Sequence, residues 1–382
     1  MLDKCSDSNR EHDNQRIANE LQQYMRELRN IARTDGINRP KPNTQIISTD
    51  ERVGFIGLRA VRRLVVFLKG TGCSHAQKNG GCTFCGFYNA TNFGEKLKDT
   101  DYFSQIDYLI TEHDLSAYEC ISLYNDGSML CEDEIGIDVI SKILQKFDKL
   151  LHIEKITIEA KVEDISESNT SLLRNSFSRE IEIAVGFESA SSQVRALCVN
   201  KNFSLFQFEK AVEIAKLNRI SLVTLLMIKP PFLTEKESID DFVKSLSYLE
   251  NFKLDRIDVE LPTVEKDTLT EMMWNIRAYK PASLWSLFEI LHEKSRKTLK
   301  TRLYISPMIY SVSSIAQADS CEKCFSRLIN KINKYNLDQD SSIFDGEDCE
   351  CRVIWGYDIL EKNSTPLHER VEKTLSILKN LS

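Results

Sequence analysis

Gly72-Cys73-Ser-His-Ala-Gln-Lys-Asn-Gly-Gly-Cys82-Thr-Phe-Cys85-Gly-Phe87 follows closely on the apolar run Leu64-Val-Val-Phe-Leu68. A short apolar run bounded by glycine reads as a buried strand. The Gly-rich loop after it carries three cysteines spaced Cys-x8-Cys-x2-Cys. Three thiolates can hold three irons of a cubane iron–sulfur cluster, whose usual complement is four cysteines. The iron left without a protein ligand is a reactive coordination site, so the loop points to catalysis rather than to electron storage. The competing reading of the same residues is a structural zinc loop with His75 as fourth ligand.

Outward from this loop the chain falls into strand-then-helix units. Strands are expected at 64–69, 119–124, 154–160, 181–186, 221–228 and 255–260, with amphipathic helices near 103–113, 134–148, 170–176, 205–217, 236–250 and 269–277. Such alternation implies an α/β fold with a parallel sheet, whose chemistry sits at the carboxyl ends of the strands. Cys73, Asn125-Asp-Gly-Ser128, Glu159, Glu188 and Lys229 all fall on that edge. A partial (β/α)6 TIM-type barrel would bring them round one cavity. Residues 1–50 read as a polar N-terminal extension with a helical pattern at Ile17, Leu21, Tyr24, Leu28 and Ile31, and Asn38-Arg-Pro-Lys-Pro-Asn43 as a linker. The barrel is expected over 51–300, and a C-terminal metal-binding module with a helical tail over 301–382.

That module rests on Cys321-Glu-Lys-Cys324 and Cys349-Glu-Cys351. Four cysteines in this pattern suit tetrahedral zinc closed to substrate. An auxiliary iron–sulfur cluster is the competing occupant. Cys5, Cys131 and Cys198 have no partner at ligand spacing, and Cys120 sits in an apolar strand pattern as a small core residue.

The chain has 382 residues, 42% hydrophobic and 28% charged, enough for a large core. No apolar run approaches the ~20 residues of a membrane span, and the first residues have no hydrophobic signal core. Eleven cysteines without an export signal argue for metal ligation rather than disulfides, and for a cytoplasmic protein. A formal charge of -7 offers no global attraction to a phosphate backbone, so any grip on nucleic acid must be local or supplied by a partner.

The three-cysteine loop after the first strand of a β/α series resembles that of the radical S-adenosylmethionine (SAM) superfamily, with Phe84 as the aromatic residue before the last cysteine. Further motifs are similar to the radical-SAM subunit of archaeosine synthase: Glu182-Ile-Ala-Val-Gly-Phe-Glu-Ser189, Val199-Asn-Lys201, Leu226-Met-Ile-Lys-Pro-Pro-Phe-Leu-Thr-Glu-Lys-Glu237, Leu284-Trp-Ser286 and the paired C-terminal cysteines. The likeness runs from about residue 60 to about 357. It implies a [4Fe–4S] cluster on Cys73, Cys82 and Cys85, SAM on the open iron, and a one-electron reductant of flavodoxin or ferredoxin type. It also implies cleavage of SAM to a 5′-deoxyadenosyl radical that removes hydrogen from the substrate. The implied substrate is a lysine-modified 7-deazaguanine in tRNA, prepared by a partner enzyme. Three segments depart from the family, one of them Leu261-Pro262 where Asn-Pro is favoured. Tyr124-Asn-Asp-Gly-Ser-Met-Leu130 stands where Thr-Ser-Gly-Ser-Phe-Leu is usual, and Glu159-Ala-Lys-Val-Glu-Asp164 where Glu-Ser-Arg-Pro-Glu-Phe is usual.

Within this scheme Asn125, Asp126, Gly127 and Ser128 suit the methionine end of SAM, Glu159 and Glu188 its ribose or cationic end, and Lys229 a carboxylate of SAM or substrate. Plainer readings exist for each. Asn125–Ser128 would be an ordinary turn, the two acids surface or ion-paired groups, and Lys229 a stem packed on Pro230-Pro231. A small metabolite is the alternative substrate. A non-catalytic, metal-bound tRNA or protein-interaction module is the alternative of another class.

Overall fold

The computed structural model describes residues 2–34, 41–296, 301–360 and 363–381. The linker reading at Asn38 to Pro40 and the side chain of Cys5 lie outside the described residues.

Eight strands form one curled sheet: β1 (Ser48–Ile56), β2 (Arg59–Phe67), β3 (Cys120–Tyr124), β4 (Lys155–Ala160), β5 (Glu180–Glu188), β6 (Ser221–Met227), β7 (Arg256–Glu260) and, beyond the two-residue strand β8 (Val264–Glu265), β9 (Arg302–Ile305). β8 pairs with β10 (Ser314–Ala316). The sheet order is β1-β2-β3-β4-β5-β6-β7-β9, antiparallel at the β1/β2 hairpin and parallel from β2 onward. It is a half-barrel, as the alternation of elements implies, with the six expected strands as its centre.

Two sheet strands are not legible in the sequence. β1 carries Asp50, Glu51 and Arg52 and lacks an apolar run. β9 is four residues long, in a stretch past residue 300 whose cysteines suggest a separate module.

The two faces of the sheet differ. Ile156, Ile158, Ile181, Ile183, Ile257 and Val259 join the main core under the helices. The alternate positions face the other way and carry charge. Glu182 accepts from Lys155 Nζ (2.9 Å) and Thr157 Oγ1 (2.9 Å) and lies 3.3 Å from Arg256 Nη1, while Arg256 Nε meets Asp258 at 2.5 Å. Burial alone would raise the Glu182 carboxyl, but Arg256 and Lys155 outweigh it and hold it at about 2. This explains why the strands do not read as unbroken apolar runs, although all seven from β2 onward are parallel.

The N-terminal helix Leu2–Thr34 is part of the same body. Ile17, Leu21, Tyr24 and Met25 pack against Val194, Leu197 and Val199 and against Leu367, Val371 and Leu375 of the C-terminal helix Leu367–Leu381. Ile31, expected on the buried stripe, is 54% exposed, and Arg29 is buried in the last described turns instead. The change of face follows from what the helix meets there, a polar loop rather than an apolar core.

The contact is close at Gly80, which has φ +79 and whose missing Cβ would lie 2.3 Å from the Met25 carbonyl carbon. Gly80→Ala is therefore expected to lower stability by about 1–3 kcal/mol from backbone strain alone, with the clash adding to it. Gly356, in the helix Glu350–Leu360 and with nothing within 4 Å, is the control. Its change to Ala should be neutral or stabilising, by up to about 1 kcal/mol. Denaturant midpoints of the two variants test this, and equal values would contradict the packing.

Candidate functional site

The carboxyl ends of the strands surround a cavity of about 610 Å³. Cys73, Cys82 and Cys85 line it together with Phe84, Asp126, Gly127, Glu159 and Glu188. Glu260 and Glu265, not singled out in the sequence, face the same space, and Gln15, Asn19 and Gln22 of the N-terminal helix form part of its wall.

The cysteine loop has only one short helix, Ser74–Asn79, and is held by bonds from elsewhere. Glu134, fully buried, accepts from Ser74 N (2.8 Å) with one oxygen and from Ser128 N (2.6 Å) with the other. It thereby fastens the residue after Cys73 to the turn after β3. Gly127 must be glycine, since a Cβ there would lie 2.0 Å from Glu134 Oε2. Glu265 takes Gly86 N at 2.5 Å, just past Cys85.

Thr83, between the other two cysteines, bonds to Cys198 O (2.5 Å) and Val199 O (3.1 Å). Asn200 then donates to Asn79 O (2.9 Å) and Gly81 O (2.7 Å). The Val199-Asn-Lys201 motif thus clamps the loop, and Lys201 completes it by pairing with Glu188 at 3.1 Å.

His75 is engaged at both ring nitrogens, by Asn200 O (2.7 Å) and by Asn79 Nδ2 (3.2 Å). It does not stand as a metal ligand, which argues against the zinc-loop reading. The three thiols also do not converge within 4.8 Å as ligands of one ion must; among the described residues only the four C-terminal cysteines do so. A wider triangle of sulfurs in a shared cavity fits a cluster of several metal atoms. Burial pushes the Cys73 thiol up to about 12 and Cys82 to about 11, with Cys85 also raised. Their thiolate forms call for strong positive charge, which the irons of a cluster would supply.

The remaining sequence candidates divide. Glu159 Oε1 accepts from Asn125 N (2.5 Å) and Gly127 N (3.2 Å), and Asp126 sits at φ +57 on the cavity edge. Asn125 is buried behind that edge, and Ser128 turns away to Asp164 Oδ2 at 2.6 Å. Lys229 is not on the cavity. Its ammonium meets Glu235 at 2.5 Å, and Glu235 is also bonded by Ser286 Oγ. Ser286 in turn accepts from Trp355 Nε1 (2.8 Å), while Trp285 Nε1 reaches Cys351 Sγ (3.1 Å). The motifs at 226–237 and 284–286 therefore dock the C-terminal module on the barrel, which is why Lys229 has a partner inside the chain.

In that module Cys321–Cys324, Cys321–Cys349 and Cys324–Cys351 have Sγ separations of 3.6, 3.5 and 3.5 Å. Metal–sulfur bonds of about 2.3 Å in a tetrahedron give edges of roughly 3.8 Å. The four cysteines fit a single tetrahedral ion.

Four carboxyls on the cavity have no ion-pair partner among the described residues, and burial raises them: Asp126 and Glu260 to about 7, Glu159 and Glu265 to about 8. Each keeps its proton in the folded chain up to that value, whereas the unfolded chain releases it near pH 4. Their contribution to the stability of the metal-free protein is therefore fully present below about pH 4 and is lost as pH rises toward 8. Glu159→Gln, neutral at every pH, should flatten the decline seen in denaturation midpoints. An unaltered slope would take Glu159 out of the account.

No family model matches the chain. It is 27% identical over 322 residues to archaeosine synthase subunit beta of Methanosarcina acetivorans, covering 83% of this chain and 90% of that protein. The same subunit of Thermococcus kodakarensis is 28% identical over 239 residues, 62% of this chain and 73% of its own length. Among solved structures, Elp3 of Methanocaldococcus infernus aligns with a TM-score of 0.45 and 17% identity over 62% of this chain and 59% of that one, so the chain spans under two thirds of it. The chain thus joins a three-cysteine loop and a parallel half-barrel to similarity with archaeosine synthase subunit beta over most of its length.

Proposed function

We propose that this chain is a radical SAM enzyme that acts on a modified 7-deazaguanine base in tRNA, together with a partner that prepares or presents the substrate. The observation that carries the reading is the gathering of Cys73, Cys82 and Cys85 with Asp126, Glu159 and Glu188 round one cavity, in a chain similar to archaeosine synthase subunit beta along 83% of its length. When bound to the three cysteines and reduced by a flavodoxin- or ferredoxin-like donor, a [4Fe–4S] cluster supplies reductive cleavage of SAM and hence hydrogen abstraction.

The protein's own task is to bind, orient and exclude water. Asp126 and Glu159 are the acids adjoining the Cys73 side of the cavity, bonded through Gly127 and Asn125, and they suit the cationic groups of SAM. Glu188, held by Lys201, suits its ribose hydroxyls. Phe84 packs against the apolar group that includes Leu269 and Met273 of the helix Leu269–Asn275, and so gives the loop an apolar side. Gln15, Asn19 and Gln22 close the mouth and offer carboxamides to a polar heterocycle. Zinc is the ion proposed for Cys321, Cys324, Cys349 and Cys351, since their sulfur spacing matches one tetrahedral ion and leaves no open position.

A small metabolite is kept as a second substrate reading because of the net charge of -7 and the four carboxyls without cation partners on the cavity. A compact cation entering there would draw off their protons and pair with the carboxylates, whereas a polyanion would gain nothing from them. No helix among the described residues is long and apolar enough to cross a membrane.

Anaerobic reconstitution with iron and sulfide, followed by reduction in the presence of SAM, should release 5′-deoxyadenosine, and Cys82→Ala should abolish the release. If the wild type with a full cluster releases none, the chain is a metal-bound binding module instead. Mobility shift with tRNA should weaken steeply with salt, in the presence of the partner if not alone. Salt-independent or absent binding in both cases would favour the metabolite. Elemental analysis should find about one zinc per chain, lost in Cys321→Ala and in Cys349→Ala; unchanged zinc in both would refute the assignment.

A further inference from the structure

We propose that Arg29, on the N-terminal helix, is a positioning residue that braces the cysteine loop and raises the reduction potential of the cluster held there. The inference rests on the reading of Cys73, Cys82 and Cys85 as cluster ligands. It concerns residues outside the strand-and-loop motif that suggests the cluster.

The geometry is specific. Arg29 is only 5% exposed, yet no acid lies within ion-pair distance of it among the described residues. Its guanidinium donates from Nη2 to Cys85 O (3.0 Å) and from Nε to Gly80 O (3.5 Å), and it sits 5.1 Å from the centre of the Tyr88 ring. The third nitrogen, Nη1, is buried and has no hydrogen-bond partner among the described residues. A buried charged donor left unpaired is unfavourable unless something else satisfies it. Arg29 lines the same cavity as Cys82 and Cys85, and its charge favours the thiolate form of both. A sulfur-rich anion held by those thiolates would satisfy the charge and accept from the free N–H.

Other charges act on the same place. Lys201 adds to the positive field at Cys82, and Glu265 opposes it at Cys85. Glu188 and Glu163 oppose it at Cys82, but Lys201 is paired with Glu188 at 3.1 Å, whereas Arg29 has no acid partner among the described residues and carries its charge to the loop uncompensated. A fixed cation beside a cluster stabilises the form with the extra electron, and hydrogen bonds to its sulfurs act in the same direction. Reduction of the cluster is the step on which SAM cleavage depends, so the helix would set how readily the site accepts an electron.

The test is anaerobic redox titration of the reconstituted full-length protein, followed by electron paramagnetic resonance, with iron content measured on each sample. Arg29→Gln and Arg29→Met, both neutral, should shift the midpoint to more negative potential, and Arg29→Lys should restore most of the shift. A merely structural brace, made by donation to carbonyl oxygens, would be kept by Gln as well as by Lys, whereas an effect of charge separates Lys from Gln. If only Arg29→Lys retains iron, the charge is needed to hold the cluster and the proposal stands. Loss of iron from all three variants, or a wild-type midpoint in a fully loaded neutral variant, overturns it. A wild-type protein that takes up no iron would instead overturn the cluster reading itself.

Discussion

A glycine-rich loop that must present three thiols to one cavity cannot hold its own shape, and buried polar bonds from distant elements hold it instead. Glu134 fixes the start beside Cys73, Asn200 and Thr83 fix the middle, and Glu265 and Arg29 fix the end beside Cys85. Bonds to charged groups such as Arg29 contribute about 1.5–3 kcal/mol each and the neutral ones about 0.5–1.5 kcal/mol, together more than the glycines lose in backbone entropy. The partners come from the turn after β3, the segment after β5, the stretch after β7 and the N-terminal helix. The loop therefore exists as a site only when the whole half-barrel is closed around it.

The same constraint joins two segments at the cavity mouth. Tyr124–Leu130 and Glu159–Asp164 are bonded to each other at several points: Glu159 takes Asn125 N and Gly127 N, Ser128 Oγ donates to Asp164, and Lys161 N donates to Ser128 Oγ. Lys161 also approaches Glu134 at 3.4 Å. A change in one segment removes a partner from the other, so the two form one physical unit. Tyr124, Asp126, Gly127, Glu159–Lys161 and Glu163 reach the cavity from it. These residues shape the cavity wall, while Ser128 N, bonded to Glu134, belongs to the fastening of the cysteine loop.

The C-terminal cysteines act at a distance from that cavity. Cys351 receives Trp285, and Trp355 reaches Ser286 and through it the Glu235–Lys229 pair at the end of β6. A single ion at the four sulfurs would hold the helices Leu284–Arg296 and Glu350–Leu360 against the barrel, a structural task consistent with a closed ligand set. Lys229 and Glu235 read from the sequence as residues of the strand edge; in space they are the floor on which the module rests.

Local pattern was enough for the six central strands, their helices, the cysteine triplet and the C-terminal quartet, because apolar period and ligand spacing are written in neighbouring residues. It was also enough to place Asp126, Glu159 and Glu188 at strand ends facing one cavity. It could not separate Ser128 or Lys229 from them, since whether a polar side chain faces a cavity or a partner depends on residues 30 or more positions away or on a neighbouring helix turn. Nor could it reveal Glu134, Glu265 and Arg29, ordinary charged residues until folding strips water from them and leaves backbone groups or thiols as their surroundings. Periodicity is a one-dimensional property and survives in the sequence. Desolvation and pairing are three-dimensional, and only the closed structure decides them.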